Sequence, residues 1–484
     1  VKIALVHYHA RPGGVTQVLL HSAKALRQRG WDVLTILGEP PTAEWPESAG
    51  AWSAVSGLGY RLEGEPGDIS LLHRALQAEV IRHWGQSPDL WLVHNACLAK
   101  NVVLCGVIER MAEEEAPVLL QIHDFAEDGR AANLAAARRY HASLSGVGEF
   151  SQWLHPSGAG LHRAVLTHRD LALLQRCGFS MDRLHWMPNA VSVIPSGAEC
   201  PRDPLLSVSP VRGVRRKNFG ELCLLAQLGQ AGGGRIVTTL APVDPSSRRA
   251  YDFWVASARR MRLPIEFGVV SSGVESYPDL MRKAGRILTT SVSEGFGFAW
   301  LEPWLLGLTV AGRDLPDLTD DFRSFGWEFP QSYERINIPV SWVGEARLRA
   351  MWLDALERMW ADCGLAVPPD APDLLWSAVV QEDQVDFGRL DEALQERVLA
   401  HLHHHPEEME SLGEVLPAVS YSEEFLLGQA ARIQSALGIA AVGDRLDQLC
   451  RLVAAGTSGP VEASDPQALL RHFLDPTKFW PLKH

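Results

Sequence analysis

Two carboxylates flank a glycine-aromatic-glycine turn in Ser293-Glu294-Gly295-Phe296-Gly297-Phe298-Ala299-Trp300-Leu301-Glu302-Pro303, eight residues apart. The apolar run 285–291 before this turn reads as a buried strand, and 298–306 after it reads as a helix stopped by Gly307. A strand, a glycine turn and a helix start make an anion site, because free backbone N–H groups and the helix dipole face its occupant. Two carboxylates would repel a bare anion. They suit a phosphate flanked by hydroxyl-bearing groups, with the N–H groups on phosphate and Glu294 and Glu302 each accepting from hydroxyls. A nucleotide-sugar has that layout. An ordinary doubly wound turn with two solvated glutamates fits the same residues. A glycosidase pair fits less well: its carboxyls stand about 5–9.5 Å apart, whereas eight helical residues rise about 12 Å.

Four other segments carry candidate chemistry. At the N-terminus a short strand, 2–6, leads through a loop containing Gly13 and Gly14 into an amphipathic helix, 15–29, and a strand, 31–37. The loop lacks the spaced glycines of a dinucleotide turn, which makes NAD a poor candidate. A second buried strand ends in His123-Asp124, where ligand sites of open α/β sheets lie, although a lone strand-end histidine is more often structural. A third segment reads Pro188-Asn189-Ala190-Val191. The fourth, 205–219, is a strand followed by a basic loop, with Arg212 and Lys217 five residues apart and Arg215 and Arg216 as competitors for the same role. Fixed cations stabilise the charge that grows on a departing phosphate.

These five segments, in this order, resemble the Glu-x7-Glu motif and its companions in retaining glycosyltransferases of the two-domain GT-B fold, especially the family-4 group. The resemblance covers residues 1 to about 320. It implies that Gly13 and Gly14 let the backbone approach a donor diphosphate, and that His123 lies near the donor sugar. It places Asn189 on the donor side, with Ala190 where the family usually has glycine. Arg212 and Lys217 would hold the diphosphate, Glu294 would position the sugar and Glu302 would hold a ribose hydroxyl. Gly295, Phe296 and Gly297 complete the donor turn. The implied catalytic set is Arg212, Lys217, His123 and Glu294. Asp124 and Arg130 fall on the acceptor side, where a plain surface loop is an equal reading. The implied reaction is retaining transfer from a nucleotide-sugar donor to a small hydroxylated acceptor, with no cofactor and no metal. A GT-B phosphorylase, a nucleotide-sugar epimerase and a non-catalytic sugar-nucleotide binder share the same motifs.

The elements that must position these residues alternate along the chain. The expected fold is α/β: two Rossmann-like, doubly wound domains facing a central cleft, with extra C-terminal helices. The N-terminal domain is expected at 1–190, with helices at 70–85 and 97–115 and strands at 89–94 and 117–122. A proline-bearing linker follows at 193–204. The donor domain is expected at 191–460, with strands at 205–211, 235–240, 265–270, 286–291 and 308–312. Its helices are expected at 218–229, 246–262, 275–284 and 298–306. Residues 320–385, rich in Trp and Pro, read as an irregular insertion. Helices return at 389–403, 423–437, 442–455 and 466–474, and 461–484 reads as a C-terminal helix able to pack back on the N-terminal domain.

The 484-residue chain carries a net charge of −13 with 46% hydrophobic residues, and its mean hydropathy is −0.04. The acidic balance argues against nucleic-acid binding and against a polybasic membrane patch. No run of 18 apolar residues predicts a transmembrane helix. Seven scattered cysteines without a C-x-x-C pattern and an opening strand without a leader suggest reduced thiols and a cytoplasmic location. The histidines at 401 and 403–405 read as a solvated helix end rather than a metal site.

Overall fold

The computed structural model describes residues 1–11, 13–61, 67–192, 201–416, 419, 421–456, 461 and 463–483. Most of the expected linker therefore lies outside the described residues. The chain forms two compact units. The first comprises Val1–Ala190, Ala361–Leu365 and Ser435–Leu474, and the second comprises Val191–Trp360, Ala366–Gln434 and Asp475–His484.

The first unit is built on a seven-stranded parallel sheet. Its strands are β1 (Lys2–His7), β2 (Asp32–Leu37), β3 (Ala51–Ala54), β4 (Leu90–His94), β5 (Val118–Ile122), β6 (Leu161–Val165) and β7 (Leu184–Trp186), in the order β3-β2-β1-β4-β5-β6-β7. Every residue of β4, β5 and β6 is buried. Continuous burial is what a parallel strand covered on both faces requires, and it explains the unbroken apolar runs in the sequence. The order reverses direction between β1 and β4, so the topological switch point lies at their carboxyl ends.

The second unit repeats that plan. Its strands are β8 (Asp203–Arg212), β9 (Arg235–Leu240), β10 (Ile265–Glu266), β11 (Ala284–Thr289), β12 (Thr309–Arg313) and β13 (Gln331–Tyr333), all parallel, in the order β10-β9-β8-β11-β12-β13. Here the switch point lies between β8 and β11.

Several elements differ from the sequence expectation. The helix expected at 97–115 begins only at Val102, because Asn101 accepts from the N–H groups of Val103 and Leu104 at 3.0 and 3.2 Å and caps it there. The helix expected at 298–306 is α-helical only over Phe298–Leu301 and tightens to a 3-10 helix over Glu302–Leu306. Pro303 has no N–H to continue an α-helical ladder. The strand expected at 265–270 is two residues long.

Residues 320–385 are regular rather than irregular. They hold the end of the helix Pro316–Ser324, the 18-residue helix Glu345–Asp362 and the helix Ala371–Val379. They also supply most of an antiparallel sheet of β14 (Asn337–Pro339), β15 (Val380–Gln381) and β16 (Gln384–Asp386). Pro372 sits in the first turn of the helix Ala371–Val379, and Trp352 is a core residue of the helix Glu345–Asp362, so neither residue type by itself marks a loop here.

The C-terminal residues are shared between the units, and this corrects the expected 191–460 and 461–484 division. The helix Ile439–Ala454 buries Val442, Leu446, Leu449 and Val453 and packs on the helix Gly14–Gln28. There Arg29 donates to Asp444 at 2.7 Å and Trp31 Nε1 donates to Asp447 at 2.6 Å. The approach is close at Gly443, where a Cβ would meet the Ala25 Cβ at 3.0 Å. Phe473 reaches Phe125 in the same unit, with ring centroids 5.7 Å apart. The last ten residues belong to the second unit, where Trp480 stacks under the Arg389 guanidinium at 3.8 Å.

Candidate active site

The candidate phosphate and sugar residues of the second unit lie on the two loops that leave its switch point. β8 ends at Arg212, which is exposed, and a 3-10 turn over Arg215–Lys217 precedes the helix Phe219–Gly229. β11 runs into the Glu294–Gly297 turn. The loops are tied together: Val292 N–H donates to the Arg216 carbonyl at 2.9 Å, and Thr290 Oγ1 donates to the Lys217 carbonyl at 2.9 Å. Lys217 Nζ forms an ion pair with Glu294 Oε1, and their side chains are only 13% and 12% exposed.

Burial opposes charge on both partners of this pair. It lowers the pKa of Lys217 against the pull of Glu294. It would raise that of Glu294, yet the adjacent Lys217 ammonium holds the carboxyl below its ordinary range. Glu302 has no such partner among the described residues, and burial lifts it to about 7. Burial, followed by the Glu302 charge, also raises the nearby Tyr277 phenol. Gly297 is left-handed at φ 81°, and a Cβ there would meet Leu318 Cδ2 at 2.5 Å. The short helix after it has no side-chain N-cap.

In the first unit three histidines occupy adjacent strand ends: His7 on β1, His94 on β4 and His123 just beyond β5. His94 Nδ1 and His123 Nε2 are 3.3 Å apart, and His7 Nδ1 lies 3.4 Å from the His94 carbonyl. Burial lowers all three, His7 to about 3 and His123 to about 4, so the group is neutral at physiological pH. Asn95, left-handed at φ 59°, accepts from the N–H groups of His123 and Asp124 at 3.2 and 3.0 Å. Asp124 is paired with Arg130 at 3.1 Å, so these two expected acceptor residues satisfy each other. Gly13 and Gly14 stand exposed at the start of the helix Gly14–Gln28, which lacks a side-chain N-cap.

Lys217 and Glu294 thus meet directly, Glu302 follows on the same loop-helix segment, and Arg212 stands unpaired among the described residues. Arg215 is not a competitor for the phosphate role: Glu392 holds it through two hydrogen bonds of 2.6 and 2.8 Å. Phe296 turns its ring into the core beside Phe298 and Phe322, leaving only its backbone for a ligand. Asn189 is buried, with its Oδ1 unpartnered among the described residues, in a pocket lined by His21, Gln121 and Val442. The sequence reading missed His7, His94, Asn95 and Asn218. The usable signal for His7, His94 and Asn95 was their place at or just after a strand end; Asn218, beyond the 3-10 turn Arg215–Lys217, had only its place beside Lys217. Glu408 lies 3.0 Å from His401, and His405, Glu407 and Glu408 are spaced for a cation, so the histidine-rich helix end has carboxylate neighbours that the sequence reading did not find.

No family model matches the chain. Sucrose-phosphate synthase from Thermosynechococcus elongatus superposes with a TM-score of 0.50 at 13% identity, over 94% of this chain and 99% of that one. HepE of Anabaena, solved in complex with UDP, gives a TM-score of 0.52 at 12% identity, over 93% of this chain and 99% of its own. The chain has the GT-B fold. Among curated proteins, the GT-B chain is similar to the mannosylglucosyl-3-phosphoglycerate synthase of Petrotoga mobilis, 22% identical over 349 residues. That match covers 66% of this chain and 66% of the relative, just under two thirds of the relative's length.

Proposed function

We propose that this GT-B chain is a retaining glycosyltransferase of the family-4 type, moving a sugar from a nucleotide-sugar donor to a small hydroxylated acceptor. The observation that carries the reading is the meeting of Lys217 with Glu294 at the β8–β11 switch point, with the unpaired Glu302 on the same segment. A donor diphosphate beside Arg212 and Lys217 would take the place of Glu294 as partner of the ammonium. Glu294 is then released to accept from a sugar hydroxyl, while Glu302 accepts from the ribose. As the glycosyl bond breaks, the leaving phosphate gains charge beside two cations and the N–H groups after Gly297. Those groups meet the electrostatic demand of the step from within the protein, which supports a metal-independent reaction. HepE, solved with UDP, and the Petrotoga mannosylglucosyl-3-phosphoglycerate synthase favour the same ligand class.

The test is a screen of nucleotide-sugars by thermal shift, followed by product analysis with the donor that stabilises the protein. A product of retained anomeric configuration, formed at full rate in excess chelator, is expected. An inverted anomer would remove the retaining assignment, and loss of activity restored by a divalent cation would remove metal independence. Tight donor binding without transfer or hydrolysis would identify a binding protein instead.

A further inference from the structure

Asn218 directly follows Lys217 and is left-handed, with φ 53° and ψ 61°. Glycine is the residue that adopts this conformation freely, so an asparagine here needs a reason in its side chain. That side chain is fully engaged. Its Nδ2 donates to Glu221 Oε2 at 2.8 Å, and its Oδ1 accepts from Gln395 Nε2 at 2.8 Å. Glu221 also accepts from Arg313 Nε and Nη2 at 2.8 and 2.6 Å and from the Tyr333 hydroxyl at 2.7 Å. Arg313 in turn donates to both oxygens of Asp386 at 2.7 and 2.8 Å. Asn218, Glu221, Arg313, Asp386 and Gln395 are all buried. A buried ionic cluster is weak evidence for net stability, but the paired groups of Asn218, Glu221, Arg313 and Asp386 fix one another's geometry, and Gln395 joins them through its Nε2 alone.

We propose that Asn218 is a positioning residue, through which the Arg313 cluster fixes the backbone that presents Lys217. The link is short: Asn218 is clamped by Glu221 and Gln395 on its side chain, and Thr290 Oγ1 donates to its carbonyl at 3.2 Å and to that of Lys217 at 2.9 Å. The lysine ammonium is thereby held at Glu294, where the leaving phosphate would develop its charge. The proposal rests on the reading of Lys217 as the phosphate-facing cation.

Asn218→Gly isolates this role. Glycine keeps the left-handed backbone without strain. Glu221 retains Arg313 and Tyr333, and Gln395 retains the Phe387 carbonyl at 3.2 Å, so the fold keeps its partners. The experiment measures transfer from the donor found by the screen in the wild type, N218G, K217A and the double variant. We expect N218G to lower kcat about tenfold or more, because small misplacements of a catalytic group are costly. Donor KM should stay within about twofold, and N218G should add nothing further in the K217A background. Gln395→Met, which removes the donor to Asn218 Oδ1 and leaves Glu221 with Arg313 and Tyr333, should likewise lower kcat in the wild type and add nothing further in the K217A background. Equal losses from N218G in both backgrounds, or an unchanged kcat in N218G beside a crippled K217A, would overturn the proposal. An unchanged rate in K217A would instead overturn the reading of Lys217 and the proposal with it. If N218G fails to fold, Gln395→Met decides: an unchanged kcat, or an equal loss in the K217A background, refutes the positioning role.

Discussion

Burial raises the Glu302 carboxyl to about 7 from an ordinary value of 4.5, so the folded chain holds a proton that the unfolded chain releases. The native state binds the extra proton between pH 4.5 and 7. Stability therefore falls as pH rises through that window and stays reduced above it. Glu302→Gln should melt higher than the wild type at pH 8 by a few degrees, with the difference vanishing below about pH 4.5. Matching melting curves at both pH values would show that the carboxyl carries no such cost. If Glu302 holds a ribose hydroxyl, the same variant should weaken donor binding more than turnover. Lys217→Ala and Arg212→Ala should do the reverse, each lowering kcat by about 10²–10³-fold, as for the loss of one donor to a developing oxyanion. Steady-state kinetics that place all three losses on one parameter would contradict this division. At this scale the sequence displays spacing well and adjacency badly. Lys217 and Glu294 could be singled out because each belongs to a recognisable run. His7 and His94 belong to none, and only the strand order brings them beside His123.

The two glycine turns illustrate how one residue type serves elements differently. Gly297 is left-handed and its missing Cβ makes room for Leu318, so both conformation and packing require glycine. Gly13 is extended at φ 166°, and the nearest atom to a Cβ there is the Arg11 carbonyl oxygen at 4.0 Å. Neither backbone strain nor packing requires glycine there, as the proposed approach of the donor diphosphate would. Gly297→Ala should destabilise the protein by roughly 1–3 kcal/mol. Gly13→Ala should change stability by less than about 0.5 kcal/mol and weaken donor binding. Urea denaturation and donor titration separate the two effects, and a large stability loss in G13A would refute this account of it. The two doubly wound units were legible because alternating apolar runs and helices leave few arrangements, while their strand orders came only from the structure. The break at Glu302 was missed although Pro303 stood in view, because the apolar pattern continues through it. Trp and Pro misled at 320–385, where Trp352 is a core residue and Pro372 a first-turn residue of ordinary helices.

At the scale of the whole molecule, the chain crosses between its two units near its end; the sequence reading allowed a return at 461–484, but the crossing already includes the helix Ile439–Ala454 and reverses again at Asp475. The helix Ile439–Ala454 serves the first unit through Asp444 and Asp447, long-range partners of Arg29 and Trp31. Asp447→Ala leaves the Trp31 indole without its acceptor and should lower the melting temperature of the first unit selectively. Hydrogen exchange that speeds up in both units equally would count against a local role.

Net charge sets the last expectation, which concerns what the chain meets outside itself. At −13, an anionic bilayer repels it over about one Debye length, near 8 Å at physiological salt. No helix among the described residues is long and apolar enough to cross a membrane. Its exposed large apolar residues, such as Tyr60, Leu71, Val243, Val274 and Leu427, are spread along the chain. A membrane-surface enzyme would instead pair a cationic face with an apolar one. The protein should therefore stay in the supernatant with vesicles of anionic lipid, and lowering the salt should not draw it down. Acceptor activity should be found among small hydroxylated compounds in the same buffer. Co-sedimentation that grows as salt falls, or transfer confined to lipid-linked acceptors, would show that a local surface overrides the net charge and would refute the small-acceptor assignment while leaving the donor residues untouched.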